Sequence, residues 1–287
     1  MFEQFQSKDA QKKSFLMPNG KPHQKARFEK PDIYPDRFNV SDEKVSWDVP
    51  YPEYNPPYFV SPQTRANDRT VNPSGWADPE DVHQIGRTII SYEGELQYTK
   101  TGLPLNPKGR AGIAGRGLLG KWGPNFAADP VVTRVNPDTG ELELLAVQRA
   151  DTGHWAIPGG MVDFGEDVSN TLVRELEEET GIHLDMSDAH EVYRGYVDDR
   201  RTTDHAWIET LAKHTHLSSQ DALRVGELRS SEEGLPQWLP LTKESIANLY
   251  ASHGFVVARS IEHFFQEEKD TLSPEVLSQV KSLLEKR

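Results

Sequence analysis

Apolar residues in the second half of the chain follow two different periods. At 130–135 (PVVTRV) and 142–149 (LELLAVQR) short β-branched and aliphatic runs flank Asn136-Pro137-Asp138-Thr139-Gly140, a set of turn residues suited to joining two strands. Over about 167–180 the period becomes helical, with Leu172, Val173, Leu176 and Thr180 on one arc that is expected to bury against a sheet. Further strands are predicted near 191–197, 206–213 and Trp238, and helices over about 255–268 and 274–286, the last opened by Ser273-Pro274. Strands before and after single helices predict an α+β fold with a mixed sheet and helices on its faces. No internal repeat is visible.

The first 126 residues have a different texture. Residues 1–40 mix polar side chains with Pro18, Pro22, Pro31 and Pro35, show no sustained period, and read as an arm or linker. From 41 to 126 proline and glycine turns interrupt short runs, the best strand-like one being Thr88–Tyr92. This predicts a small, irregular, β-rich domain leaning on aromatics such as Trp47, Tyr58, Trp76 and Trp122. The expected organisation is therefore an arm over 1–40, an N-terminal domain over 41–126 and a core over 127–287.

Charge narrows the function classes. The 287 residues carry 32 Lys and Arg against 45 Asp and Glu, a net −13. The first 40 residues hold eight cations and five anions, so the remainder carries −16. That balance argues against nucleic acid as a partner, which needs a basic face, but a bound cation inverts the local sign for a small anionic ligand. No run approaches the roughly 18 to 20 apolar residues of a membrane span, so no membrane contact by this chain is expected. The absence of cysteine excludes disulfides and thiolate chemistry and suits a reducing interior. A cytosolic location is preferred over a mitochondrial one, because Glu3 and Asp9 sit where transit peptides avoid acids.

Candidate chemistry is concentrated on the helix over 167–180. A turn of 100° per residue places Glu175, Glu178 and Glu179 within about 100° of arc, beside the apolar stripe. Like charges at this spacing cost helix stability unless something cationic offsets them. A solvated acidic face is one outcome; a hard divalent ion with carboxylate oxygens and substrate phosphates in its shell is the other. Arg174 is expected beside Glu178, and Gly181 ends the helix.

Gly160, five residues, Glu166, seven residues, then Arg174-Glu175-Leu176-x-Glu178-Glu179-x-Gly181-Ile182 resembles the complete Nudix box. The resemblance implies an αβα sandwich whose box helix holds Mg²⁺, with Mn²⁺ as the alternative ion, against a nucleoside diphosphate linked to another group. By that resemblance Glu175, Glu178 and Glu179 are metal ligands, and Gly160 brings a backbone carbonyl close to the ion. Arg174 is the partner of the box carboxylates and Glu166 supports the site from the loop, so these five side chains form the catalytic set.

The flanks are more particular. Pro107–Asn125, Ala128-Asp129-Pro130, Trp155–Gly160, Tyr193–Asp199, Arg201–Asp204 and Leu249–His253 resemble the ADP-ribose pyrophosphatase branch of the family, whose module is also fused to a TRP-melastatin cation channel. The resemblance implies hydrolysis of ADP-ribose to AMP and ribose 5-phosphate. The alternatives are an ADP-ribose-sensing or assembly domain fused to a channel, or a Nudix enzyme for NADH, diadenosine polyphosphates or capped RNA. Implied substrate contacts are Asp199 and Arg201 for the terminal ribose or phosphate and Tyr250 and His253 near the other end. Trp155 and Phe126 are candidates to flank the adenine, and Gly159 joins the set from the box loop; ordinary core packing is the competing role for each aromatic. Arg201 could equally pair with Asp198 or Asp204.

Three further features carry lesser expectations. Gly115-x-Gly117-x-x-Gly120 spells a dinucleotide-binding fingerprint, but Lys121-Trp-Gly-Pro-Asn cannot open a helix, so the reading is rejected. Arg110 and Arg116 are candidate phosphate or carboxylate partners, with structural roles favoured. His214-x-His216 shares a strand face, and two histidines alone make a poor metal site.

Overall fold

The computed structural model describes residues 17, 20–150, 153–163, 165–225, 227–231, 234–250 and 252–285. The chain forms two compact units, one from the residues up to Asn125 with Gly195–Glu209, the other from Phe126–Arg194 with Thr210 onward.

The first unit contains little regular structure. Helix α1 (Lys25–Phe28), strand β1 (Tyr58–Val60), helix α2 (Pro62–Ala66) and strand β2 (Ala114–Gly117) are all short, and β1 and β2 pair in parallel. Side-chain-to-backbone bonds replace ladders. Arg110 donates to the carbonyls of Lys44, Ser46 and Val49 and lies over the rings of Trp47, Tyr51 and Tyr54. Arg116 bonds the carbonyls of Asp78 and Gly120 and the Glu80 carboxylate, with its guanidinium over Trp122. Both arginines are thus structural, as a chain rich in proline and turns needs donors for its unpaired carbonyls.

Three expectations are corrected here. Residues 20–40 were expected in an arm or linker, yet His23, Ala26, Arg27, Tyr34 and Val40 are buried. The residues 195–209, expected in the core, close this unit instead: Asp198 accepts from the amides of Gln24, Lys25 and Ala26, and Tyr34 donates to the Arg201 carbonyl. Thr88–Tyr92 is not a strand; the Glu209 carboxylate accepts from the Ser91 hydroxyl and from the Tyr92 amide, a backbone donor that a neighbouring strand would have used. Trp122 is buried and Trp47 half-buried, whereas Tyr58 and Trp76 are exposed. The glycine motif lies partly in β2 and no helix follows it, consistent with rejection of the dinucleotide reading.

The second unit is built on a mixed sheet. Strands β3 (Gly123–Val135), β4 (Leu142–Arg149), β5 (Trp155–Ala156), β6 (Gly160–Met161), helix α3 (Val168–Thr180), β7 (His190–Val197), β8 (Ala206–Leu217), helix α4 (Ser219–Arg224) and β9 (Gly234–Pro240) precede three helices, α5 (Lys243–Ala247), α6 (His253–Glu268) and α7 (Pro274–Leu284). The order is β5-β4-β3-β8-β7, with β6 on β3 and β9 along β4. Strand alternation sends neighbours to opposite faces: Val131 and Leu144 pack with Val256, Val257, Ile261 and Phe264 of α6, while Val132 and Leu145 pack with Leu172 and Leu176 of α3. Each of these side chains contributes about 1.5–3 kcal/mol by leaving water. The α+β fold expected from the periodicity is what forms, with helices on both faces of the sheet as the resemblance implies.

Four histidines sit on the α6 side. The Thr133 hydroxyl bonds both His214 Nε2 (2.8 Å) and His216 Nδ1 (2.9 Å), and the rings of His190 and His263 stack at 3.5 Å. The hydroxyl has one hydrogen and two lone pairs, so it donates to at most one of the two rings and accepts from the other. Burial first, with the neighbouring histidines second, pushes His214 down to about 3; burial pushes His216 down to about 4 against the pull of Glu268. Both folded values lie below the ordinary 6.5, so the unfolded chain takes up protons first as pH falls. Stability is therefore full above pH 6.5 and is expected to decline from there towards pH 4, at up to about 1.4 kcal/mol per pH unit for each histidine. Urea unfolding at pH 7, 6 and 5 checks this: His214→Gln should flatten the decline, and an unchanged slope counts against it.

Candidate functional site

The helix that carries the glutamates is fixed at both ends. Asp167 caps it, accepting from the Ser169 amide at 2.8 Å, and Gly181 closes it at φ 76°, where its amide returns to the Glu177 carbonyl. Leu172, Leu176 and Thr180 are buried and Val173 half-buried, which places the glutamate edge beside the sheet. Glu175 and Glu179 are buried while the Glu178 side chain is 60% exposed.

Arg174 gathers the cluster. Its guanidinium grips Glu166 through two bonds (3.0 and 2.9 Å) and donates from Nη1 to Glu175 (2.8 Å) and Glu178 (3.0 Å). A fifth hydrogen bond goes to the Met161 carbonyl at 3.2 Å. Hydrogen bonds from Arg174 hold Glu166 down to about 2, with Thr171 and the Asp163 amide adding to the effect. Glu166 raises Arg174 in return, so this pair stays ionised at any physiological pH.

Two glycines admit the carboxylates. The Gly159 amide donates to Glu179 Oε2 at 3.0 Å. A Cβ on Gly160 would stand 2.4 Å from Glu175 Oε1, so only glycine lets the strand backbone lie against that carboxylate. Hard oxygen donors converging beside bare backbone suit a divalent ion that keeps its waters and takes phosphate oxygens. In the arrangement described, Arg174 supplies the neutralising charge, and among the described residues no three His, Asp or Glu side chains already form a metal cluster.

The other sequence-predicted residues fall into two groups. In the second unit the Trp155 carbonyl accepts from the Tyr250 amide at 2.7 Å, and His253 Nδ1 accepts from the Ile157 amide at 3.1 Å. The Tyr250 ring meets His253 edge-on and carries the Arg149 guanidinium 4.6 Å from its centre. Trp155 packs partly against the core, and Phe126 is half-buried, its carbonyl bonded to the Val162 amide. In the first unit Asp199 and Arg201 bind each other, Nε to Oδ1 at 2.8 Å and Nη2 to Oδ2 at 3.0 Å. Asp198 instead caps the 24–26 backbone, and Asp204 accepts from Tyr54 and the Ala111 amide. His214 is buried.

Sequence reasoning missed two participants. Asp129 is buried in β3 beside Gly159, with the Thr210 hydroxyl on Oδ2 at 2.7 Å. A lone carboxylate inside an apolar strand was the available signal. Arg149, at the end of β4, had no signal beyond being a cation on a strand.

Comparison with known proteins agrees with this arrangement. A family model described as the NUDT9-like N-terminal domain matches residues 40–123, and the NUDIX domain model matches 127–259. The chain is 43% identical over 241 residues to putative nudix hydrolase 6 of Caenorhabditis elegans, covering 77% of this chain and 88% of that one. It is 35% identical over 271 residues to the mitochondrial ADP-ribose pyrophosphatase of Rattus norvegicus, covering 80% and 75%. A TRP cation channel, subfamily M member-like 2, of Nematostella vectensis is 38% identical over 271 residues, which are 80% of this chain and 17% of the channel. With the box helix, its arginine clamp and its glycine cradle in place, and with 43% and 35% identity to the worm and rat relatives over at least 75% of each chain, the protein belongs to the Nudix hydrolase family.

Proposed function

We propose that this Nudix hydrolase cleaves the pyrophosphate of ADP-ribose, with water, to AMP and ribose 5-phosphate. The observation that carries the reading is the cluster of Glu175, Glu178 and Glu179 on one edge of α3, against the bare backbone of Gly159 and Gly160. The substrate is argued from likeness: the rat relative is an ADP-ribose pyrophosphatase, and the N-terminal family match extends the similarity beyond the box.

Glu175, Glu178, Glu179 and the Gly160 carbonyl would hold Mg²⁺, or Mn²⁺ in its place. The ion would neutralise phosphate charge and polarise the phosphoryl oxygens. The chain's own groups do the rest. Glu179, fixed by the Gly159 amide, and Glu178, more open to solvent, are the proposed acceptors for the proton of the attacking water. Arg174 keeps like-charged carboxylates together before substrate arrives. Arg201 and Asp199 are the proposed contacts for the terminal ribose or phosphate; Tyr250 and His253 serve the opposite end, with Trp155 and Phe126 for the adenine. Likeness to part of a cation channel supports a second reading, a channel-fused sensing or assembly domain in which binding of ADP-ribose matters more than turnover. Among the described residues no helix is long and apolar enough to cross a membrane.

Chromatography of products formed from ADP-ribose and Mg²⁺, beside NADH and ATP, tests the assignment. AMP from ADP-ribose is expected; turnover of another substrate alone rejects it, and tight binding without AMP favours sensing. The double substitution Glu178→Gln with Glu179→Gln should cut turnover at least about a hundredfold while leaving circular dichroism unchanged.

Arg174 offers an independent check. Arg174→Gln removes charged hydrogen bonds from Glu166, Glu175 and Glu178 and is expected to cost about 1–3 kcal/mol in metal-free buffer. Added Mg²⁺ should raise its melting temperature more than that of the unaltered protein, because the ion takes over the neutralising role. Equal Mg²⁺ shifts in both would count against a metal at these carboxylates.

A further inference from the structure

The proposed reaction gives no role to Asp129, a buried carboxylate of the second unit. Asp129 follows Ala128 in β3, in the stretch where Ala127 pairs with Met161 and Ala128 with Gly160, so Asp129 comes opposite Gly159. Its two oxygens have different surroundings. Oδ2 receives the Thr210 hydroxyl at 2.7 Å. Oδ1 faces the Gly159 backbone so closely that a Cβ there would stand 2.4 Å away, and 2.7 Å from the Ala128 carbonyl. Gly159 has φ 153°, and its amide points to Glu179 at 3.0 Å. One glycine is therefore held between two carboxylates, one anchored in the sheet and the other on the box helix.

Packing alone does not account for an aspartate here. Burial pushes its carboxyl up to about 6 against the hydrogen bond from Thr210, so the site works against the charged form. An apolar side chain of similar size would fill the space without that conflict. What the carboxyl adds is a fixed orientation: Thr210 locks its rotation, and the locked group sets how far Gly159 can move towards the sheet.

We propose that Asp129 is a positioning residue for Glu179: pinned by Thr210, it fixes the Gly159–Gly160 segment so that the Gly159 amide holds the Glu179 carboxylate. The inference rests on Glu179 serving the hydrolysis proposed above. Asp129 acts through the backbone of the box loop. Two properties follow. Shape and the hydrogen bond to Thr210 matter more than charge, so asparagine should substitute for it. Loss of the pin should reach the chemical step and leave substrate affinity alone.

The test uses the full chain in four forms: unaltered, Asp129→Ala, Asp129→Asn and Thr210→Val. Exchange of the Gly159 amide, followed by NMR without metal or substrate, is the first readout; kcat and KM for ADP-ribose with Mg²⁺ are the second. Asp129→Ala should speed Gly159 exchange at least about fivefold. It should lower kcat roughly ten- to a hundredfold with KM within about twofold. Asp129→Asn should restore both values, and Thr210→Val should fall between. If Asp129→Ala does not fold, the intermediate phenotype of Thr210→Val carries the test. Unchanged exchange and kcat in both Asp129→Ala and Thr210→Val would overturn the proposal. So would an asparagine variant as impaired as alanine, since the charge itself would then be at work. If the unaltered protein does not cleave ADP-ribose, the functional reading fails, and Gly159 exchange still decides whether Asp129 fixes this segment.

Discussion

Everything at the candidate site depends on how one guanidinium meets several carboxylates. Glutamates at i, i+3 and i+4 repel one another, and two of the three here are buried, where unpaired charge is most expensive. Arg174 removes the conflict by reaching Glu166 on the loop and Glu175 and Glu178 on its own helix. It thereby ties the loop before α3 to the helix itself. The fixed fork of five donors makes this an arginine's task, since a lysine's point charge cannot grip one carboxylate with two bonds while serving two others.

The sheet supplies the other half of the arrangement. With Val131 and Val132, and Leu144 and Leu145, on opposite faces, α3 and α6 each receive a full apolar surface. The acidic edge of α3 is then a by-product of where its leucines must go: burying Leu172 and Leu176 leaves Glu175 and Glu179 at the rim, next to the short strand β6. Glycine at 160 lets that strand approach, and glycine at 159 offers the amide. Helix register, sheet alternation and two missing side chains converge on one small volume.

Much of this was legible in the sequence, for physical reasons that differ by region. The span 142–149 was read with its true ends, and α3 within a residue, because strong periodicity and unambiguous caps mark them. The glutamate edge of α3 and the place of Arg174 beside Glu178 followed from helical spacing, whereas the places of Gly160 and Glu166 were implied only by the resemblance to the box. Strand β3 was read short: Gly123, Pro124 and Pro130 look like breakers, and only tertiary pairing overrides them. The short strands β5 and β6 and helices α4 and α5 have too few residues to show a period. Thr88–Tyr92 had strand composition without a strand partner, and Glu209, more than a hundred residues away, decided its conformation. The roles of Arg110 and Arg116 rest on carbonyls that no local pattern reveals.

The return of residues 195–209 to the first unit has a consequence for how the protein is made. His23 meets Tyr196, Tyr34 meets the Arg201 carbonyl, and Arg37 meets the carbonyls of Arg200 and Thr202, contacts separated by more than 160 positions. On a ribosome, the amino-terminal unit emerges first and cannot be completed until most of the sheet of the second unit has been synthesised. Its early segments must wait, unsealed, through that interval, and large sequence separation of this kind slows folding. The boundary near residue 126 marks a change of texture in the chain but offers no place to cut: a fragment ending there would lack the strap that closes its own interior.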